Sequence, residues 1–374
     1  MPTDVINEQS SLLDISRGAT IVSRTGEFML PASAMNTIDG EIATFWSSPP
    51  RDFPQSIVIA LGARSRIDRI GIRSLAGGFE VKSAAFETSL DGTAWQPLAT
   101  ITSKHADVAL WQDVSPAEAA YLRITIPEAL IAGRDARLNS LFAHGAEVAP
   151  HIDPALEGCW SVNGSAATFA QHGSYATGVL VRGYEPFFIE GASNGRLWRF
   201  NWIRGNDYGF TALTIAPDGK HLSALEWHEE AIPLFRGMPW FGERAQCSAP
   251  APRDDVNIAV LSRAGHVALF GLQFDSSGQF LQDASREQLQ ALATMLRLAP
   301  PVTLVAHEFR QPDTKRNQEV AQREIDSLKA ALTVPGTDMS RISFRAAGSE
   351  GPRHVPESDA ARTIYSSIEV EVRR

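Results

Sequence analysis

The sequence predicts a multidomain, mainly β protein: an N-terminal β-sandwich, a middle antiparallel β meander or barrel, and a C-terminal α+β domain. Three observations lead there. Up to about residue 250, short apolar or alternating runs are separated by turn signals, and no helical stripe competes with them in the N-terminal part. Beyond that point the pattern changes to strands alternating with amphipathic helices. At 374 residues the chain also exceeds one ordinary domain. Pro150 with Asp153-Pro154, and Ser248-Ala249-Pro250-Ala251-Pro252, mark two boundaries, giving domains at 1–150, 151–250 and 251–374.

Composition narrows the function classes. A formal net charge of −9 offers no basic surface for tracking phosphates, so nucleic acid is excluded as an expected partner. Apolar content of 44% with 21% charged residues is that of a folded globular chain rather than a disordered one. There is no apolar run long enough for a transmembrane segment. The polar start, Met1-Pro2-Thr3-Asp4-Val5, is not a signal peptide, so export would require that a leader or lipid-anchoring Cys be absent from this chain.

In the first domain the clearest strands are Ser56–Leu61, Ile67–Arg73, Ala85–Ser89 and Ala120–Ile126, with a turn at Asp91-Gly92. Four blocks then occur in order: Ile38-Asp39-Gly40-Glu41 leading to Thr44-Phe45-Trp46-Ser47-Ser48; Ile57 to Leu61-Gly62; Thr88-Ser89-Leu90-Asp91-Gly92-Thr93-Ala94-Trp95; and Tyr121-Leu122-Arg123-Ile124. Together they resemble the discoidin, or coagulation-factor C-type, domain. The resemblance implies a jelly-roll that binds glycans or lipid head groups through loops at one end. Many members hold a structural cation beside the Asp-Gly turn, and Asp39, Thr44 and Glu147 stand at the matching positions. Such oxygen-only donors suit Ca²⁺. By the residues alone, Asp39 is equally accounted for as a turn cap and Glu147 as a solvated side chain. Trp46 and Trp95 read as core.

The middle segment holds Trp160, Trp198, Trp202, Trp227 and Trp240. Seven strand-like runs follow one another: Gly158–Val162, Ala166–Ala170, Ala176–Val181, Phe187–Glu190, Arg196–Ile203, Phe210–Ile215 and His221–Glu226. Asn163-Gly164, Asn194-Gly195 and Asp218-Gly219 are hairpin signals between them. Such a meander closes into a barrel or a strongly bent sheet. Trp198, Phe200 and Trp202 share one strand face, which reads as core. Glu226 and His228 converge by the same alternation, and the pair reads as a solvated strand end. Cys159 and Cys247 stand at the two ends of this segment, where a disulfide would staple its start to its finish. In the loop-entropy model such a bridge contributes about 4 kcal/mol; two buried thiols, as in a cytosolic protein, are the alternative.

The third domain opens with an apolar strand, Ala268–Phe274. Ser285 and Gln288 have capping-box spacing, and Leu289, Leu292, Ala293 and Leu296 form the apolar stripe of a helix that ends at Pro300-Pro301. A strand at Val302–Ala306 follows, then a helix striped by Ala321, Ile325, Leu328 and Leu332, and strands at Arg341–Phe344 and Ser367–Val372. Both helices must lie on one sheet face to bury their stripes.

Phe274-Asp275, a helix, a strand leading to His307, Asn317 with Arg323, and a last strand ending Val-Glu-Val resemble the OmpA-like domain over residues 256–374. That family grips peptidoglycan. An Asp in its Gly-His-Thr-Asp motif and the second Arg of Arg-Arg-Ala hold the charged ends of the diaminopimelate side chain. Here the motif is Ala306-His307-Glu308-Phe309, so Phe309 replaces the Asp; Arg323 is kept and Glu324 replaces the second Arg. At the end Ala361-Arg362 survives, while Tyr365-Ser366-Ser367 replaces Asn-Arg-Arg. Removing one partner of a buried charged pair costs on the order of 2–5 kcal/mol. The resemblance therefore implies the fold with weakened or altered peptidoglycan binding at Phe309, Asn317, Arg323 and Glu324, with Glu308 or Asp313 as stand-in acids.

No phosphate loop, nucleophile elbow or metalloprotease helix motif appears. The expected function is that of a non-enzymatic bacterial envelope protein, in the periplasm, at the outer membrane or on the cell surface. It would bind a glycan or surface through the discoidin-like domain and dock through the divergent OmpA-like one. Two other readings stand beside it: a glycan-active enzyme with its site in the middle domain, and a structural protein whose OmpA-like domain binds a protein partner.

Overall fold

In the first seven strands the chain makes one sheet fold over on itself. They are β1 (Thr20–Arg24), β2 (Trp46–Ser47), β3 (Gln55–Ser74), β4 (Ser83–Ser89), β5 (Gln96–Thr102), β6 (Leu110–Ile126) and β7 (Arg137–Glu147), in the order β2-β7-β3-β6-β4-β5 with β1 also on β3. The computed structural model describes residues 11–29, 32–41, 43–103, 108–228, 238–246, 251–309, 313–332, 338–350 and 366–373. The two strands expected at Ser56–Leu61 and Ile67–Arg73 are one strand, β3, with a register shift between Ala60 and Ser65 against β6. Before the shift β3 pairs with β1 and the end of β6; after it, with β7 and the beginning of β6. A bulge bends both long strands so that each crosses from one layer to the other, which is how a single ladder becomes a β-sandwich. Gly62 lies at the bend, where a side-chain carbon would stand 2.1 Å from the Arg17 carbonyl oxygen. Trp46, Ile57, Ile59, Ile70, Phe86, Leu122 and Ile124 are buried in the core.

The middle segment closes into a barrel of eight strands: β8 (Gly158–Val162), β9 (Ser165–His172), β10 (Tyr175–Arg182), β11 (Glu185–Ser193), β12 (Trp198–Arg204), β13 (Asp207–Ile215), β14 (His221–His228) and β15 (Pro239–Arg244). The sequence showed seven; β15 completes the ring and removes the open edge a seven-stranded meander would leave. Asn163 (φ 47°) and Gly164 (φ 78°) form the left-handed pair expected of an Asn-Gly hairpin between β8 and β9. Trp198, Phe200 and Trp202 are buried, as their shared face predicts.

The C-terminal part adds α1 (Val256–Ala264), β16 (His266–Leu269), α2 (Arg286–Leu298), β17 (Val302–His307), α3 (Thr314–Leu332), β18 (Ile342–Gly348) and β19 (Ser367–Val372). The sheet order is β16-β19-β17-β18, with β19 antiparallel to both neighbours and β17 parallel to β18. Leu292, Met295 and Leu296 of α2 and Ala321, Ile325 and Leu328 of α3 pack into one core with Val302, Leu304, Ala306, Ile368 and Val370, so both helices cover the same sheet face. Three details differ from expectation, the first being that the strand expected at Ala268–Phe274 is β16, which ends at Leu269. Helix α1 was not foreseen, and Ser285 makes no capping bond to α2. Its hydroxyl accepts the Gln273 N–H at 2.8 Å, and the Gln288 side-chain oxygen accepts the Gly271 N–H at 3.3 Å, so both residues hold the segment after β16.

By contact the chain divides into two compact units, residues 1–154 with 213–225 and 235–244, and residues 155–212 with 226–234 and 245–374. In the first, Ile21 N–H donates to the Ser223 hydroxyl at 3.1 Å and the Thr214 hydroxyl to the Ala19 carbonyl at 2.9 Å. In the second, Glu190, Arg199 and Asn201 on the outer wall of β11 and β12 bond to the C-terminal elements. Arg199 donates to the Ser366 carbonyl at 2.7 Å and Asn201 to the Ala268 carbonyl at 2.6 Å. No helix among the described residues is long and apolar enough to cross a membrane.

Candidate functional site

One end of the sandwich gathers aromatic rings and arginines from four separate loops. Arg137, at the start of β7, is the hub: its guanidinium carbon lies 3.7 Å from the Phe79 ring centroid and 5.0 Å from that of Phe45. Its Nε donates to Asp135 at 2.7 Å, and Asp135 also accepts the Ser47 hydroxyl at 2.8 Å. Burial alone would raise the Asp135 pKa, but the bonds from Arg137 and Ser47 outweigh it, and the carboxyl is held below its ordinary value. The loops are stitched by backbone bonds: Phe28 N–H to the Ser47 carbonyl at 2.9 Å, Ser48 N–H to Ala136 at 2.9 Å, and Arg137 N–H to Phe79 at 2.7 Å.

Two more arginines stand at the rim. Arg134 is exposed and lies 4.7 Å over the Phe79 ring. Arg51 is exposed too, and holds a left-handed backbone (φ 65°) that a residue with a side chain rarely adopts. Its side chain passes over Gly133, where an added carbon would stand 3.4 Å from the Arg51 Nε. Phe28 and Met29, at 49% and 41% exposure, leave further apolar surface in the loop that pairs with Ser47. Rings flanked by planar, hydrogen-bonding side chains present an apolar face and polar fingers together, the chemistry a polyhydroxylated ring requires. Phe45 lies in a block the sequence singled out, but Phe79, Arg51, Arg134 and Arg137 were missed; only Gly77-Gly78 and Gly133, turn signals beside two of them, hinted at these loops.

The structure brings two of the three expected cation ligands together. Asp39 is buried; it accepts the Glu41 N–H at 2.8 Å and the Thr44 hydroxyl at 2.7 Å. Glu147 instead forms an ion pair with Arg17 at 2.7 Å. Among the described residues no group of three or more His, Cys, Asp or Glu is arranged to hold a metal ion. Trp46 is fully buried, its indole N–H donating to the Gly26 carbonyl at 3.0 Å. Trp95 is half-buried under the Arg123 guanidinium, 4.6 Å from the ring centroid.

In the C-terminal domain the four expected positions have separate partners. Phe309 is buried; its N–H donates to the Ser366 hydroxyl at 3.2 Å and its ring lies parallel to that of His307. Asn317 is buried and donates to the Ser349 hydroxyl at 2.7 Å. Arg323 is exposed and donates to the Ser277 carbonyl, while Glu324 is buried at 3% exposure. Glu308 is buried, and Asp313 accepts the Lys315 N–H at 2.8 Å at the start of α3. Beneath Phe309, Glu369 lies between His266 at 2.7 Å and His307 at 2.9 Å.

The barrel corrects one reading. Glu226 is 1% exposed rather than solvated, and lies 3.3 Å from Arg182 and 3.2 Å from His228. On the outer wall, Glu190 is 2% exposed and accepts the Asn257 N–H at 2.8 Å, at the beginning of α1, together with the Tyr175 hydroxyl. Burial pushes its pKa up to about 7 despite those bonds. The Cys159 sulfur is 3.6 Å from the Thr168 hydroxyl; Cys247 lies outside the described residues, as do Ala361, Arg362 and Tyr365.

Comparison with known proteins bears on the sandwich. The F5/8 type C domain family matches residues 19–136. The C-terminal domain of a chitobiase from Bacteroides fragilis is 29% identical, over 36% of this chain and 97% of that one, with a TM-score of 0.33. A family 32 carbohydrate-binding module from C. perfringens, solved with galactose, is 22% identical over 33% of this chain and 98% of its own, with a TM-score of 0.29. Another from Clostridium perfringens, solved with GalNAc-β-1,3-galactose, is 18% identical over 36% and 99%, with a TM-score of 0.32. No curated protein matches the chain. The N-terminal sandwich, with its bent strands and loop-end cluster, is an F5/8 type C, discoidin-like domain.

Proposed function

We propose that this protein binds carbohydrate through the loop end of its discoidin-like sandwich and docks, without catalysis, through its C-terminal α+β domain. The observation that carries the first half is the convergence of Phe45, Phe79, Arg134 and Arg137 from loops far apart in sequence. A pyranose packed against the stack of Arg134 on the half-buried Phe79 would remove apolar surface from water on both partners, a gain of about 1–2 kcal/mol, with the guanidinium edges bonding its hydroxyls. The test is affinity electrophoresis of the full chain through gels containing a panel of neutral and charged polysaccharides. Retardation by at least one glycan is expected, with Phe79→Ala weakening it about tenfold while leaving the melting curve in place. A panel with no retardation, or retardation indifferent to Phe79→Ala, would refute the site.

For the C-terminal domain we take the OmpA-like resemblance as the fold's origin, supported by the strand–helix–strand–helix–strand–strand order from β16 to β19. Phe309 and Glu324, both buried, put an apolar ring and an acid where the family has an acid and a base. Peptidoglycan binding is accordingly weakened or altered, and a protein partner in the bacterial envelope is the other occupant this domain would take. An exported protein, with Cys159 and Cys247 bridged and Ca²⁺ at Asp39 and Thr44, belongs to the same reading. Glu147 would join that set only by leaving Arg17. Hydrolysis in the barrel is not favoured, because it needs two carboxylates facing each other across a cleft and Glu226 is engaged with Arg182 and His228.

A further inference from the structure

We infer that the carbohydrate bound at the loop end is an anionic one, its carboxylate or sulfate held by Arg51 and Arg134 beside the Phe79 ring. The inference rests on the carbohydrate-binding reading above and sharpens it to a ligand class. Within the sandwich, arginines are usually neutralised: Arg17 by Glu147 at 2.7 Å, Arg24 by Glu27 at 3.0 Å, Arg123 by Glu87 at 2.6 Å and Arg137 by Asp135 at 2.7 Å. Arg51 and Arg134 depart from this pattern. Both are exposed, and neither has a carboxylate within ion-pair distance among the described residues. Acids are close by, but they are turned elsewhere. Asp135 is committed to Arg137 and Ser47, and the Glu80 carboxylate accepts the Gly78 N–H at 2.8 Å. Two uncompensated guanidiniums on a chain of net charge −9 make a local field opposite to that of the whole molecule.

The two groups are also held in place. Arg134 rests on Phe79, with Nη1 at 3.4 and 3.5 Å from the carbonyl oxygens of Gly77 and Gly78, contacts long enough to leave most of its five donors for a ligand. Arg51 is positioned by its left-handed backbone and by Gly133, adjacent to Arg134, whose missing side chain leaves room for it. A rare backbone conformation in a loop whose charge meets no carboxylate among the described residues is the kind of strain that surrounding structure retains at binding sites. The planar fork of a guanidinium matches the two oxygens of a carboxylate or the face of a sulfate, and the charge-assisted bonds so formed are roughly twice as strong as those a neutral hydroxyl accepts.

The experiment measures binding of the full chain at physiological salt to three probes: polygalacturonate, dextran sulfate and neutral galactan. Polygalacturonate or dextran sulfate should bind at least about tenfold more tightly than galactan, and whichever does so identifies carboxylate or sulfate as the anion. Arg51→Ala and Arg134→Ala should each weaken that binding roughly two- to fivefold, and higher salt should weaken it further. Phe79→Ala should weaken every glycan that binds. Preferred binding of galactan, with the arginine variants unchanged and Phe79→Ala impaired, would overturn the anionic assignment while leaving the carbohydrate site standing. Anionic binding unaffected by either arginine variant would also overturn it. Absence of binding to all three, and to the wider polysaccharide panel, would remove both.

Discussion

Replacing Glu190 by Gln should flatten the dependence of stability on pH between about 5 and 8. Glu190 sits on the outer wall of the barrel at 2% exposure, its carboxylate accepting the Tyr175 hydroxyl and the Asn257 N–H at the beginning of α1. Burial raises its pKa from an ordinary 4.5 to about 7. Between those values the folded chain keeps the proton that the unfolded chain has released, so the folded state binds more protons and stability falls as pH rises. Across that interval, at about 1.4 kcal/mol per pH unit, the loss is about 3 kcal/mol. Gln keeps one oxygen to accept the Asn257 N–H, its NH2 can donate to the Tyr175 hydroxyl oxygen once that hydroxyl turns, and it cannot ionise. The melting temperature of Glu190→Gln relative to the native chain should therefore climb from pH 5 to pH 8 by several degrees, on the order of 6–12 °C for a unit of this size. Thermal unfolding of both full chains, followed by near-ultraviolet circular dichroism, measures it. Glu369 does not confuse the window: although burial opposes it, the bonds from His266 and His307 hold its pKa down to about 2, and its contribution is lost only below about pH 4.5. A constant difference between variant and native chain over pH 5–8 would refute the reasoning.

Other outcomes follow from the remaining sites. The double change Phe309→Asp with Glu324→Arg should raise sedimentation of the protein with diaminopimelate-type peptidoglycan by more than the two single changes combined, since the two groups would grip opposite ends of one zwitterion; tight binding by the unaltered chain would mean that Glu308, Asp313 or Arg323 has taken over. Chelation of Ca²⁺ should lower the melting temperature of the native chain but not that of Asp39→Ala, and identical responses would dismiss the cation. Thiol titration of the unfolded, unreduced protein should find no reactive sulfhydryl if Cys159 and Cys247 are bridged; two would remove the main support for export.

What the sequence made legible is what local physics decides. Asn163-Gly164 forces its hairpin because a left-handed pair has few other solutions, and the stripe of Ala321, Ile325, Leu328 and Leu332 specifies which side of α3 is buried. Residues with two possible uses were read less well. Ser285 and Gln288 have the spacing of a cap, yet the same oxygens reach the Gln273 and Gly271 N–H groups, and the fold uses them there. Helix α1 escaped notice because its N-terminus makes no side-chain capping bond of its own; an acid on β11, far back in the chain, accepts the bond instead.

The loop-end cluster lay further still from any local signal. Phe45, Phe79, Arg134 and Arg137 come from segments with no common period, and nothing in their spacing relates them until β3 and β6 bend and bring the loops to one end. Their chemistry is nevertheless a consequence of the same bend. The bulge between Ala60 and Ser65 sends each long strand from one layer into the other, so the connections into β2, β4 and β7 emerge side by side. A scaffold that fixes its strands by buried apolar rows leaves those connections open to variation. Among the described residues Arg51 and Arg134 are exposed and meet no carboxylate, and it is on that feature of these open connections that an anionic ligand is proposed to bind.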